Sequence, residues 1–151
     1  MARPKKNIID YFPHDCNHSV NLSIIEEKFG NDGYAFYYRL QELLGITDGH
    51  SYECKKPQQW HYLLTWTKTD DKKAVEIINF LIELDEIDSE IWETEKRIWW
   101  QSFVDSVGTV YERRKNDKPS KYNYLSKIDS LSKISLRNRI LSIFDLELSS
   151  K

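Results

Sequence analysis

The sequence predicts a mainly α-helical domain with a small β component (α+β), of the winged helix-turn-helix class, with a short β-hairpin wing and a C-terminal helical extension. Apolar residues recur at helical spacing in several segments, and two of the predicted helices are joined by a short link. The second of these helices runs into a segment that suits two paired strands. A chain of 151 residues is long enough for one well-buried domain, which we place at residues 1–115. Residues 116–151 are interpreted as a basic linker and an amphipathic helix.

The N-terminal part is predicted to be an extended arm followed by a short helix. Two prolines within residues 1–19 favour an extended chain, and the apolar side chains at 8–12 can pin it to a core. Ser19 or Asn21 can cap the helix, and Gly30 suits the position just after its last turn. We therefore expect the first helix to end before Gly30.

Four further elements lead to the centre of the predicted domain. Residues 31–33, Asn-Asp-Gly, are predicted to turn the chain into a second helix over Tyr34–Leu44. Another turn is expected at 47–50, followed by a short strand at Ser51–Cys54. Proline suits the first turn of a helix, so a third helix is predicted over Pro57–Trp66.

A capped helix that feeds a hairpin organises the predicted domain. Thr69 or Asp70 can cap a helix over Lys72–Leu84, most of whose circumference is apolar. The segment Glu86–Trp100 has apolar residues on both sides of a polar tip, which suits two short paired strands and is the expected wing. The last helix of the domain is predicted at Gln101–Arg114.

The net charge of −2 hides a segregation of charge along the chain. The first six residues carry +3, and residues 112–139 carry nine lysines and arginines against three carboxylates, which gives +6. Since the whole chain carries −2, the rest carries −11. Local positive charge dominates affinity for nucleic acid, so the two basic arms are expected to contact phosphate most readily. The second arm combines a linker at 116–132 with an amphipathic helix at 133–147 that packs on the body or on another protein.

The helix over Lys72–Leu84 is the first candidate for contact with DNA. A recognition helix presents arginine, lysine, asparagine or glutamine to the major groove, and this one offers Lys72, Lys73 and Asn79. Its outward strip also carries three carboxylates that DNA phosphates would repel, namely Asp71, Glu76 and Glu83. We therefore favour a helix that closes the core and aims the hairpin over a sequence-specific reader.

Cations on the arms and at the expected wing tip are the other candidates for DNA contact. From residue 111 onward, lysines and arginines are interspersed with tyrosines. This composition is typical both of single-strand or backbone binding and of a solvated linker. At the wing tip, Lys96 and Arg97 stand beside three glutamates. The predicted DNA-binding residues are Arg3, Lys5, Lys6, Lys72, Lys73, Asn79, Lys96, Arg97, Arg113, Arg114 and Lys115.

The sequence predicts neither catalysis nor a cofactor. His14, Cys16 and His18 alternate, so an extended backbone would point them to one face, with Cys54 or His50 as a further zinc ligand. Zinc ligands in proteins are usually spaced more widely, and we interpret these residues as polar loop groups and a buried thiol. The chain has no nucleophile elbow, phosphate-binding loop or dinucleotide fingerprint, so we expect no enzymatic activity and no bound metal.

Several motifs carry a resemblance to a known family. Residues 10–15 read Asp-Tyr-Phe-Pro-His-Asp, and residues 27–37 read Glu-Lys-Phe-Gly-Asn-Asp-Gly-Tyr-Ala-Phe-Tyr. The body closes with Ile-Ile-Asn-Phe-Leu at 77–81 and Tyr-Glu-Arg-Arg-Lys at 111–115. With these motifs the chain resembles, over roughly residues 5–115, the uncharacterised winged-helix domain at the N-terminus of phage and prophage proteins related to DnaD-type replication factors.

The resemblance implies a phage-derived accessory protein in the cytoplasm of a bacterial host, acting in replication initiation or helicase loading and having no active site. The sequence agrees with this compartment. It has no apolar run long enough to span a membrane, no secretory signal at its N-terminus and only two cysteines, which lie far apart.

Two functional hypotheses follow. In the first, the protein is a non-enzymatic DNA-binding accessory factor in replication initiation or its regulation, and it contacts duplex or single-stranded DNA mainly through its basic arms. In the second, it is an adaptor or inhibitor whose acidic body binds a basic surface of a replication protein or a host nucleic-acid enzyme. Homodimerisation through the expected hairpin or the C-terminal helix is a further expectation.

Overall fold

The computed structural model describes residues 6–124 of the chain. This part is mainly helical and contains a two-stranded antiparallel sheet, which confirms the α+β prediction at that level. The helices are α1 (Val20–Ile46), α2 (Pro57–Thr67), α3 (Asp71–Glu83), α4 (Ser89–Glu95), α5 (Gln101–Ser106) and α6 (Gly108–Arg114), and the strands are β1 (Ser51–Glu53) and β2 (Arg97–Trp99). The helix predicted at 133–147 and the candidate contacts Arg3 and Lys5 lie outside the described residues.

Helix α1 contains both of the first two predicted helices and is interrupted only at Gly30. That residue has φ of 65° and ψ of −149°, a conformation that is essentially restricted to glycine. The chain resumes the helix at once, so the turn predicted at 31–33 is wrong. Gly33 serves close packing instead, because a Cβ at this position would lie 2.7 Å from Cβ of Phe29 and 2.9 Å from the carbonyl oxygen of Ile25.

The predicted hairpin at 86–100 is also wrong, since its first half forms α4. The carboxylate of Asp88 accepts a hydrogen bond from the backbone N–H of Ile91 at 3.0 Å, which caps the new helix. Lys96 ends it in the left-handed conformation. The second half forms β2, which pairs with β1 rather than with a neighbouring strand, in the register Ser51 with Trp99.

Several sequence predictions are confirmed. The expected strand before the third helix is β1, and α2 begins at Pro57 as predicted. Asp70 caps α3 by accepting a hydrogen bond from the backbone N–H of Lys73 at 2.8 Å. The helix predicted at 101–114 is present but is divided at Val107 into α5 and α6.

Helix α1 forms the centre of the described domain. It contacts α2, α3 and β1, and one face of each packs into a shared core. The α3 helix buries only one side, and Val75 on the other side is 39% exposed, so its apolar residues surround less of the helix than predicted. The largest fully buried side chains include Trp99, Trp100, Tyr111, Phe36, Phe103, Leu40, Leu44, Leu63 and Ile77.

The N-terminal arm is held against the body. The backbone N–H of Ile9 donates to the carbonyl of Gly45 at 2.9 Å, and the N–H of Gly49 donates to the carbonyl of Asn7 at 3.1 Å. Further along the arm, the ring of Phe12 packs edge-on against Phe103, with 5.5 Å between centroids. Apolar residues therefore pin this arm to the core, as the sequence predicts.

His50 is a fully buried histidine of this core. Its Nδ1 donates to the carbonyl of Leu44 at 2.9 Å, so the tautomer with a proton on Nδ1 leaves Nε2 to accept from the Tyr111 hydroxyl. Burial away from water lowers the pKa of His50 below its ordinary value of 6.5, because the charged imidazolium is disfavoured there. The same burial raises the pKa of Tyr111 to about 12, which keeps its hydroxyl protonated at neutral pH.

We expect the free energy of unfolding to decrease as the pH falls below 6.5. The unfolded chain binds a proton on His50 at a higher pH than the folded chain does, so the stability from neutral His50 is complete above that value and is lost below it. Urea titrations between about pH 7 and about pH 5 would measure this loss. In His50→Gln, which cannot titrate, the loss is expected to be smaller, and an unchanged pH dependence in this variant would contradict the assignment.

Candidate nucleic-acid interface

Helices α2 and α3 are joined by the short connection Lys68–Asp70. Lys68 adopts the left-handed conformation and its N–H donates to the carbonyl of Leu64, which ends α2. The hydroxyls of Thr67 and Thr69 are 2.8 Å apart across the connection. The indole N–H of Trp60 in α2 donates to the carboxylate of Asp71 in α3 at 2.6 Å. Local hydrogen bonds thus fix the two helices at their junction.

The outward face of α3 has mixed charge. Its exposed positions are Asp71, Lys72, Val75, Glu76, Asn79 and Glu83. Lys73, a predicted DNA contact, is instead paired with Asp32 of α1 at 2.6 Å, and this hydrogen bond raises the lysine pKa. Lys72 is therefore the exposed lysine of this face and lies beside three exposed carboxylates, so the mixed charge expected from the sequence is present on α3.

Arg114, a predicted DNA contact, makes hydrogen bonds to the N-terminal arm. Its guanidinium donates to the carbonyl of Lys6 at 3.1 Å and to the carbonyl of Ile8 at 2.8 Å. Both acceptors belong to the N-terminal arm, so Arg114 ties the arm to the end of α6. Lys6 itself pairs with Asp10 at 3.0 Å. The sequence could not reveal these contacts, because they join opposite ends of the described chain.

The remaining predicted contacts differ in exposure. Arg97, expected at a wing tip, lies in β2, where its guanidinium is 3.4 Å from the Ser51 hydroxyl and 4.0 Å from the Glu53 carboxylate. Lys96 is exposed and its ammonium lies 4.9 Å from the centroid of the Trp92 ring. Arg113 and Lys115 are exposed at the end of α6 and Asn79 is exposed on α3, so these side chains are accessible to a ligand.

A surface that we did not predict lies on α2. The segment from Cys54 to Thr69 contains no aspartate or glutamate, although the body as a whole is acidic. Its exposed side chains are polar, cationic or aromatic, namely Lys55, Lys56, Gln58, Gln59, His61, Tyr62, Thr65 and Lys68. We call this set the α2 surface. The signal in the sequence is the absence of aspartate and glutamate from this segment, because its lysines do not form a dense cluster.

The carboxylates that flank the α2 surface have partners of their own, and Glu53, just before it, lies 4.0 Å from the Arg97 guanidinium. Asp70 accepts from the backbone at the start of α3, and Asp71 accepts from the indole of Trp60. Lys72 continues the row of cations just beyond them. The α2 surface can therefore present positive charge and amide donors to a polyanion along a helix of 11 residues, about 16 Å long.

Negative charge is concentrated in and around α4. Residues 83–95 contain seven carboxylates and no lysine or arginine. This segment, which we call the acidic segment, repels phosphate and suits a basic partner instead.

The histidines and cysteine weighed as zinc ligands have other neighbours. The His14 ring stacks on Tyr38, with 3.9 Å between centroids, and its Nε2 lies 3.3 Å from the Tyr34 hydroxyl. His18 lies 3.4 Å from the carboxylate of Glu26. Cys16 is exposed, whereas Cys54 is buried, and burial raises the pKa of its thiol to about 12. Within residues 6–124 no group of histidine, cysteine or acidic side chains is arranged to hold a metal ion.

The described residues form a small, mainly helical domain with one two-stranded sheet, and its α2 surface contains no carboxylate. Residues 11–103 match the family model described as Lin1244/Lin1753-like, N-terminal. Since the match covers more than half of the sequence, the chain belongs to the Lin1244/Lin1753-like family. Comparison with curated proteins and with solved structures gave no match. None of the helices described is both long and apolar enough to cross a membrane.

Proposed function

We propose that this protein is a non-enzymatic, winged-helix-type DNA-binding accessory factor of phage origin, which acts in replication initiation or its regulation in the bacterial cytoplasm. The observation that carries the proposal is the α2 surface, where a run of sixteen residues without a carboxylate exposes three lysines in an otherwise acidic body. Affinity for DNA depends chiefly on such local positive charge.

The order of elements supports the winged-helix part of the proposal. A strand lies between α1 and α2, two helices with a short connection follow, and the strand after them pairs with the first. This order is compatible with a helix-turn-helix in which α2 and α3 are the paired helices. In this interpretation α4 occupies the position in the chain where a longer hairpin would form the wing.

The proposed contact is with the DNA backbone rather than with base edges. Lys55 and Lys56 lie at the start of α2, Lys68 lies at its end, and Lys72 follows in α3, so the cations are spread along the surface. Glutamine side chains between them can donate hydrogen bonds to phosphate oxygens. The carboxylates on α3 would oppose its entry into a groove, so we expect little discrimination between sequences.

The cations at the end of α6 form a second proposed contact. Arg113 and Lys115 are exposed, whereas Arg114 between them holds the N-terminal arm. The proposed contact thus includes two of the three adjacent cations that the sequence predicts to bind DNA. Arg3 and Lys5 stay predicted contacts, since they lie outside the described residues.

Fluorescence anisotropy with labelled duplex and single-stranded oligonucleotides tests the proposed DNA binding. Binding is expected at about 50 mM salt, with an affinity at least about a hundredfold lower at about 200 mM because several phosphate contacts release counterions. Scrambling the duplex sequence is expected to leave the affinity nearly unchanged. The absence of binding at the lower salt concentration would contradict the proposal.

The acidic segment favours a second candidate function, an adaptor that binds a basic surface of a replication or host protein. Seven carboxylates without an intervening cation suit such a partner. Capture of a defined replication protein by the full chain, without DNA binding at low salt, would favour this function over the first. Light scattering of the same sample would test the predicted homodimer.

A further inference from the structure

A groove of about 570 Å³ is lined by the N-terminal arm and by helices α1 and α2. Aromatic and aliphatic side chains form most of its walls. The arm contributes Tyr11, Phe12 and His14, α1 contributes Tyr38 and Ile46, and α2 contributes Trp66. This volume lies in the range of small-molecule and side-chain binding pockets in proteins.

The residues that form the walls of this groove are held in place by contacts of their own. Stacking of His14 on Tyr38 fixes the arm to α1, and the edge-on contact of Phe12 with Phe103 anchors the arm to the core. On α2, the carbonyl of Trp66 accepts a hydrogen bond from Arg39 at 3.5 Å. The groove is therefore preformed in the folded chain and does not need a ligand to open it.

Two large side chains beside the groove remain accessible. Tyr11 is 73% exposed and Ile46 is 47% exposed, and both line the groove. Exposed apolar groups that cluster around a concave surface often mark a binding site. Because Tyr11 is so exposed, its ring is accessible to a ligand in the groove.

The charged residues that line the groove indicate the chemistry of an occupant. They are Asp10 and Glu42, and no lysine or arginine of residues 6–124 lines the groove. Lys6 pairs with Asp10, whereas Glu42 is exposed on α1. Carboxylates beside aromatic faces attract a cation, through charge and through the electron-rich faces of the rings. The negative charge of these carboxylates also repels phosphate.

We propose that this groove binds a lysine or arginine side chain in a peptide segment of a partner protein. The cationic group lies against the rings of Tyr38 and Trp66 within reach of the Glu42 carboxylate, and its aliphatic stem packs along Ile46 and Tyr11. This site goes beyond the proposed DNA contact, because it recognises a cation where the α2 surface recognises an anion. The groove and the α2 surface are adjacent at α2, where the ring centroids of Tyr62 on the α2 surface and Trp66 in the groove are 6.1 Å apart.

NMR titration of the full chain with three capped pentapeptides tests this proposal. The peptides share the sequence Ala-Leu-X-Leu-Ala, with arginine, glutamate or norleucine at X, and DNA is absent, so failure of the DNA-binding proposal does not affect the result. The arginine peptide is expected to shift the Trp66 indole resonance, assigned with Trp66→Phe, and to approach saturation at about 1 mM. The glutamate peptide is expected to produce no saturable shift.

Two variants and one control locate the bound cation. Glu42→Gln is expected to weaken binding of the arginine peptide about fivefold and to leave the norleucine peptide unaffected. Tyr11→Ala is expected to weaken both peptides, since it removes an apolar wall. Glu76→Gln removes an exposed carboxylate of α3, outside both the groove and the acidic segment, and is expected to change nothing.

Three outcomes would overturn the proposal. The first is equal binding of the arginine and glutamate peptides, and the second is loss of arginine-peptide binding in Glu76→Gln rather than in Glu42→Gln. The third is a saturable shift of the Trp66 indole by a deoxynucleotide but not by the arginine peptide, which would assign the groove to nucleic acid.

Discussion

Simultaneous replacement of Lys55, Lys56 and Lys68 by glutamine is expected to lower the affinity for duplex DNA about ten- to hundredfold at low salt. The three ammonium groups are exposed on a surface without carboxylates, so each can displace counterions from phosphate. For each lysine lost, the slope of log affinity against log salt is expected to fall by about one. Anisotropy titrations of the variant and the unmodified chain over the same salt series measure both quantities.

A control with the same change of net charge makes this result specific. Lys28 and Lys118 are exposed outside the α2 surface and are not among the proposed DNA contacts, and the double variant Lys28→Glu, Lys118→Gln also lowers the net charge by three. Lys118 is paired with Asp105 at 2.6 Å, an exposed contact that contributes little to stability. Affinity close to that of the unmodified chain is expected for the control. If the triple variant and the double control lost affinity equally, the α2 surface would not be the contact.

Replacement of Trp100 by alanine is expected to lower the free energy of unfolding by about 3–5 kcal/mol. The side chain is fully buried, and its ring packs edge-on against Tyr37 with 4.8 Å between centroids. Its indole N–H donates to the carboxylate of Glu86 at 2.8 Å and lies 2.9 Å from the Ser102 hydroxyl. Alanine removes both the buried ring and the donor, which leaves a cavity and one fewer partner for Glu86.

A second variant separates these two effects. Trp100→Phe keeps an aromatic ring but loses the donor, so a smaller loss, about 1–3 kcal/mol, is expected from it. Glu86 also accepts from the side chain of Asn21 in α1 at 2.8 Å and from the Ser102 hydroxyl at 3.0 Å, so it keeps two partners. Urea unfolding monitored by circular dichroism gives both values. A loss below 1 kcal/mol for the alanine variant would contradict this packing.

The parts of the fold that the sequence predicts well are governed by local interactions. The α3 helix begins where Asp70 can cap it, and its buried positions, Ala74, Ile77, Ile78 and Leu81, follow the helical period. Pro57 likewise marks the first turn of α2. Each of these signals lies within a few residues of the element that it defines, so periodicity and capping suffice to find it.

The hairpin was mispredicted because its apolar spacing is ambiguous. Ile87, Ile91 and Trp92 fit a helix as well as two short strands, and the cap at Asp88 selects the helix. The strand that does form, β2, pairs with β1 far back in the chain. A periodic pattern contains no information about a pairing between distant segments.

The candidate site shows the same division between local and distant contacts. The sequence identifies which residues are cationic, and from the outward charges of α3 it correctly predicts a mixed face. It cannot show that Arg114 holds the N-terminal arm or that Lys73 pairs with Asp32, because these contacts join segments far apart in the chain. The α2 surface was in principle visible, since the absence of carboxylates is a property of the sequence itself.

Mapping of the DNA contact by NMR tests the central proposal most directly. Backbone and side-chain amide resonances of the labelled full chain would be followed while a short duplex is added at low salt. The largest shifts are expected at residues 55–68 and at Lys72, with smaller ones at Arg113 and Lys115 and none at residues 83–95. Shifts concentrated on Glu76, Asn79 and Glu83, with none on α2, would contradict the account, because α3 would then be the contacting helix.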